Sequence, residues 1–170
     1  RMSGLLYDKN ILVMGAANQR SIAWSIAEAI HREGGQVALT YQAERLKGRV
    51  ARLADELGGA PMIECDVADD DAVRRAVDRL AETMPVLHGI VHSIAWAPAE
   101  DLQGSFVETT RTGFAQANDI SSYSLIAVAV SLPSHDRRYR LTPSLVSPLD
   151  GSPSSPLFGE RRASGRKQRE

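Results

Sequence analysis

The stretch Ile11-Leu12-Val13-Met14-Gly15-Ala16-Ala17-Asn18-Gln19-Arg20-Ser21-Ile22-Ala23 decides the fold of this chain. Four apolar residues ended by a glycine read as a buried strand, and the helical pattern that opens at Ser21 reads as the next element. A helix start offers backbone N–H groups that have no intrahelical acceptor, at the positive end of its dipole. Strand, small-residue turn and helix start together make an anion site, the arrangement with which parallel α/β folds hold a dinucleotide pyrophosphate. The spacing is not Gly-x-Gly-x-x-Gly: Gly15 is the one glycine, and Ala16, Ala17 and Ser21 fill the other small positions. Taken alone, the turn leaves a plain scaffold unit open beside a dinucleotide site.

Outward from that turn, strand and helix signals alternate. A helix over Ser21–Glu33 stops at Gly34-Gly35, a strand follows at Val37–Tyr41, and a helix over Ala43–Leu57 stops at Gly58-Gly59. Met62–Cys65 reads as the third strand, and Asp69-Asp70-Asp71 opens a helix to about Met84. That acidic run is expected to cap the helix rather than to bind metal. Leu87–His92 is the fourth strand, and Thr112–Val130 reads as one long apolar helix. Repeated β-α units imply a parallel sheet with helices on both faces and right-handed crossovers. In such sheets ligands gather beyond the carboxyl ends of the strands, where the chain order reverses. Here those ends are Gly15, Gln42, Asp66-Val67 and Ser93-Ile94.

Bulk properties narrow the function classes. A chain of 170 residues suits one core, and 43% hydrophobic with 24% charged residues is the balance of a soluble globular protein. A formal net charge of −1 gives no electrostatic case for nucleic acid or a membrane surface. No stretch has the length of a transmembrane helix, and the N-terminus lacks the apolar centre of a signal peptide. The single cysteine, Cys65, cannot form an internal disulfide and suits a reducing cytoplasm. It is expected to be a small buried hydrophobe. His31, His88 and His92 lack metal-ligand spacing.

Near Val130 the composition changes. Ser131–Glu170 holds five of the eight prolines and eight basic against four acidic residues, a charge of +4 against −5 for the rest. It shows neither alternation nor helical periodicity, so it is expected to be a disordered, basic, Pro/Ser-rich tail after a folded part at residues 1–130. The break reads as a frameshifted or truncated continuation of the fold. It would leave Leu87–His92 as an open edge and Leu125, Ile126, Val128 and Val130 short of packing partners.

Four segments together resemble the NADH-dependent enoyl-acyl-carrier-protein reductases of bacterial fatty-acid synthesis, divergent short-chain dehydrogenases/reductases. They are Gly15–Trp24, Thr40-Tyr41-Gln42, Leu46-Lys47-Gly48-Arg49-Val50 and Val91-His92-Ser93-Ile94-Ala95. Glu64-Cys65-Asp66-Val67 and Asp119-Ile120-Ser121-Ser122-Tyr123-Ser124 extend the match, which runs from about Gly4 to Ala129. The resemblance implies an incomplete Rossmann-type sheet, an acyl-carrier-protein-bound enoyl substrate and a homo-oligomeric family.

It also implies roles. Gly15 would let the cofactor approach, Ser21 and Ile22 would meet its pyrophosphate, and Gln42 would stand beside the adenosine ribose. Asp66 and Val67 would hold the adenine, Ile94 would line the cleft, and Ala97 would lie near the acyl substrate. Trp96 falls where the family has an aromatic beside the substrate entrance, while Trp24 is expected to pack. The family pattern favours NADH. Arg45 and Lys47, close in sequence, leave NADPH open. In the family a tyrosine hydroxyl stabilises the enolate, and a lysine seven residues on holds the nicotinamide ribose. The lysines here are Lys9, Lys47 and Lys167, and no tyrosine stands seven or four residues before any of them. The resemblance therefore implies the ancestry of a reductase and no catalytic pair in this sequence.

Overall fold

The structure, a computed structural model, describes residues 4–132. Four strands alternate with helices: β1 (Asn10–Met14), α1 (Ile22–Arg32), β2 (Gln36–Tyr41), α2 (Glu44–Glu56), β3 (Met62–Glu64), α3 (Asp70–Thr83) and β4 (Gly89–His92). Two 3-10 turns, at Ala99–Leu102 and Phe106–Glu108, lead into α4 (Arg111–Asn118), a π turn (Asp119–Tyr123) and α5 (Ser124–Ser131).

The strands form one parallel sheet in the order β3-β2-β1-β4. Chain order runs outward from β1 to β3, then returns to the other side of β1 at β4. That reversal puts the switch point between β1 and β4. Helices α1 and α3 each turn one apolar stripe to the sheet: Ala23, Trp24, Ala27 and Ile30 from α1, and Val73, Ala76, Val77 and Leu80 from α3. α1 and α2 pack on one face with Val13, Val37 and Leu39. On the other face α3 and α5 pack with Leu12, Met14, Ala38 and Leu87. Fully buried side chains such as Leu39 and Leu80 each stabilise the fold by about 1.5–3 kcal/mol.

The predicted helix Thr112–Val130 differs from the observed one in its middle. A π turn interrupts it where the sequence supplies Asp119, Ser121 and Ser122, and none of the turn's residues is buried. Two hydroxyls, of Ser121 and Ser124, are bonded across to β4 and its exit, which accounts for the widened turn. Val128, expected to lack partners, is buried against the α3 face, whereas Leu125, Ile126 and Val130 are exposed. Helix α5 continues through Ser131, and Leu132 is buried on the same core. The tail expected from Ser131 lies, from residue 133, outside the described residues. At the strands, Leu87 precedes β4 as a core residue, and Cys65 follows β3 with its N–H still bonded to the Tyr41 carbonyl at 2.9 Å. Among the described residues no helix is long and apolar enough to cross a membrane.

Candidate functional site

The four strand ends named from the sequence open onto one cleft of about 550 Å³. Gly15, Gln42, Asp66, Val67 and Ile94 line it, with Trp96. Gly15 has φ +94°, in the left-handed region that favours glycine. A methyl group built there would overlap the carbonyl oxygen of Ser93. Gly15 thus lets β1 turn away directly against the exit of β4, where the Ser93 N–H donates to the Met14 carbonyl at 3.1 Å.

Beyond Gly15 the turn is held by its own polar groups. The Asn18 side chain accepts from the Arg20 N–H at 2.8 Å, and its carbonyl accepts from the Ser21 hydroxyl at 2.6 Å. The Ser21 oxygen also accepts from the Trp24 N–H at 3.3 Å, so Ser21 is the N-cap of α1. Gln19 reaches across to Glu56 of α2 at 2.7 Å. Ser21 and Ile22 do not line the cleft; they follow it through this turn, and Ile22 is exposed. Ala97 also lies off the lining.

At the other end, the Gln42 amide donates to Asp66 at 3.4 Å and joins the tips of β2 and β3. The second Asp66 oxygen accepts from the Ala68 N–H at 3.1 Å, which fixes the carboxylate. Arg45 and Arg49, one helical turn apart on α2, both line the cleft and are exposed. Lys47, read together with Arg45 from the sequence, is instead paired with Glu44 at 3.1 Å, and that hydrogen bond raises its pKa. Cys65 lines the cleft floor as a buried thiol. Burial, helped by the neighbouring Asp66 charge, pushes its pKa up to about 11, so it stays protonated. Asp69 is spent on capping α3: it accepts from the Asp71 N–H at 2.8 Å, and the N–H groups of Asp71 and Ala72 hold its carboxyl below the usual range. His88 accepts from the Asn10 N–H at 2.9 Å, and His92 meets Ser124 at 2.7 Å.

A family profile described as Enoyl-(Acyl carrier protein) reductase matches residues 15–135. The chain belongs to the enoyl-acyl-carrier-protein reductase family. It is similar to the enoyl-[acyl-carrier-protein] reductase [NADH] of Escherichia coli, with 47% identity over 127 residues, 74% of this chain and 48% of that protein. The solved enoyl-[acyl-carrier-protein] reductase (NADH) of Aquifex aeolicus superposes with a TM-score of 0.73 at 45% identity, covering 76% of this chain and 51% of that one. The Bacillus cereus reductase, solved with NADP+ and indole naphthyridinone, gives 0.71 at 43%, covering 75% and 51%. The chain spans about half the length of the curated relatives it matches.

Within this reductase fold, two groups of lining residues were not singled out from the sequence. Arg49 repeats Arg45 at helical spacing, a signal present in the sequence. Gln116 and Ile120 reach the cleft from the last helical segment, whose Asp119–Ser124 motif was noted only as part of the resemblance.

Proposed function

We propose that this chain is the dinucleotide-binding half of an enoyl-acyl-carrier-protein reductase and takes NAD(H) across the carboxyl ends of β1 to β4. The observation that carries the reading is the cleft itself. Its volume is that of a small-molecule site, and at one end the Gln42 amide and Asp66 carboxylate stand together at 3.4 Å. In doubly wound sheets the β2 tip meets the adenosine ribose, so Gln42 would bond its hydroxyls, with Asp66 and Val67 on the adenine. Gly15 admits the pyrophosphate close to the β1 turn. Ser21 orders the start of α1, where the N–H groups of Ile22 and Ala23 have no intrahelical acceptor and would be free to meet an anion reaching past the cleft. Ile94 then bounds the nicotinamide half, with Ala97 towards the acyl group. The chemistry such a cofactor supplies is hydride delivery to the β-carbon of a trans-2-enoyl thioester.

What this chain's residues do is bind and orient. The resulting enolate needs a positioned donor, and a nearby cation lowers its cost; the Tyr–Lys spacing that supplies both in the family does not occur in this sequence. NADH is the cofactor the family pattern favours, since the neutral Gln42 neither attracts nor repels a 2′-phosphate. Exposed Arg45 and Arg49 supply positive charge at that end, so a 2′-phosphate is not repelled. The reading also carries a soluble cytoplasmic location and a homo-oligomeric assembly, as in the family.

Fluorescence titration of the 170-residue chain with NADH and NADPH tests the proposal. Binding of NADH is expected, with Arg45→Ala and Arg49→Ala weakening NADPH more than NADH. No binding at about millimolar NADH, a free-energy floor near 4 kcal/mol, overturns it. Chain freed of host reductase is expected to leave NADH unoxidised beside a short enoyl thioester, and steady oxidation refutes that part.

A further inference from the structure

Between the last ladder bond of β4, at Ser93, and the 3-10 turn at Ala99, the chain runs without regular structure along the cleft. Among the described residues, the hydrogen bonds of residues 94–97 all run from Trp96 to one hydroxyl. The Trp96 N–H donates to Ser121 Oγ at 3.0 Å, and that hydroxyl donates to the Trp96 carbonyl at 3.2 Å. A single side chain thus holds the peptide groups on both sides of Trp96. Three residues on, fully buried Ser124 makes a second tie. Its hydroxyl donates to the Ile120 carbonyl at 2.6 Å and so accepts from His92 Nε2 at 2.7 Å, at the end of β4. The two ties bracket Ile94; the π turn at Asp119–Tyr123 presents the Ser121 hydroxyl, and α5 begins on Ser124. Such widened turns recur at functional sites.

We propose that Ser121 is a positioning residue: by clamping Trp96 it sets the Ile94–Trp96 wall against which the far half of the bound dinucleotide lies. This rests on the dinucleotide reading of the cleft. Alanine at Ser121 would leave the Trp96 N–H and carbonyl to water and free the wall, while the adenosine end at Gln42 and Asp66 stays as it is. Threonine would restore both bonds, since its hydroxyl has the same donor and acceptor capacity.

The test compares the full chain with Ser121→Ala and Ser121→Thr in two measurements. The first titrates NADH and AMP separately. Ser121→Ala is expected to weaken NADH about fivefold to tenfold, the worth of one hydrogen-bonded clamp, and to leave AMP unchanged, with Ser121→Thr close to wild type. The second is acrylamide quenching of tryptophan emission. Trp24 is buried and Trp96 is 45% exposed, so the quenchable fraction reports Trp96, and it should rise in Ser121→Ala only. If NADH and AMP weaken together, or neither changes, the positioning role is wrong. If the wild-type chain binds neither nucleotide, the dinucleotide reading fails instead, and unchanged quenching then still overturns the clamp. Should Ser121→Ala lose its fold, Ser121→Cys keeps the volume with a weak donor and carries the same comparison.

Discussion

The same substitution, glycine to alanine, should have opposite signs at two positions of this fold. At Gly15 the backbone sits at φ +94°, which costs a side chain about 1–2 kcal/mol. The new methyl also meets the Ser93 carbonyl, backbone that cannot rotate away. Relief requires the exit of β4 to move, at about 1–3 kcal/mol for overpacking. It also stretches the Ser93–Met14 hydrogen bond, worth about 1 kcal/mol. Gly15→Ala should therefore destabilise the fold by about 3–6 kcal/mol, a large part of a typical domain's stability. Gly48 lies inside α2, and among the described residues nothing comes within 4 Å of a Cβ built there, so Gly48→Ala should stabilise by about 0.5–1 kcal/mol through helix propensity. Urea denaturation followed by far-UV circular dichroism measures both, with the shift in midpoint read at constant slope. A Gly15→Ala chain as stable as wild type would refute the close approach of β1 and β4. Loss of stability in Gly48→Ala would refute the placement of Gly48 on an open helix face.

Three further outcomes are expected. Burial holds the pKa of His92 below its ordinary 6.5, and burial with the nearby Lys9 does the same for His88. The unfolded chain thus takes up protons first as pH falls, and stability present above about pH 6.5 should decline on acidification. His92→Gln should shallow that decline in urea midpoints, and an unchanged profile counts against His92's part. Gly113→Ala should destabilise despite better helix propensity, because its methyl displaces the Asp101 carboxylate that accepts from Thr110 N–H at 2.9 Å and hydroxyl at 3.0 Å. Faster amide exchange at Thr110 checks it, and a stabilised variant refutes it. Exposed Phe114, Leu125, Ile126 and Val130 on the last helices suit a second copy of the chain, so sedimentation velocity should show self-association that Val130→Asp reduces. A monomeric wild type ends that reading.

Much of this was legible in local sequence. Ile11–Met14 is apolar because both faces of β1 are covered, and Ser21 caps α1 through bonds within its own turn. The cleft followed from strand order, since parallel strands put Gly15, Gln42, Asp66 and Ile94 on one edge whatever the details. The π turn was not legible. The hydroxyls of Ser121 within it and Ser124 just after it are committed to Trp96 and His92, 25 and 32 residues away in the chain, and helical periodicity carries no trace of that. Lys47 lies off the cleft that Arg45 lines, because proximity in sequence is not a shared helix face. Glu44, three residues before it, was the better guide. The burial of Val128 also escaped, because the apolar residues of α5 form no clear stripe and only packing against α3 singles it out.

The place of β1 in the sheet carries a consequence for how the molecule assembles on the ribosome. Its partner on one side, β2, begins 26 residues later, whereas its partner on the other, β4, lies 78 residues on, as the pairs Asn10–Gln36 and Ile11–Gly89 show. Closing the longer loop costs about 1 kcal/mol more in chain entropy. The half-sheet of β1, β2 and β3 can therefore emerge and pair while one flank of β1 is still bare. The wall at Ile94 closes last. Ligand affinity in the nascent chain should appear as a late step, well after helical signal, and the waiting β1 flank is where a stalled chain is most exposed to foreign strands.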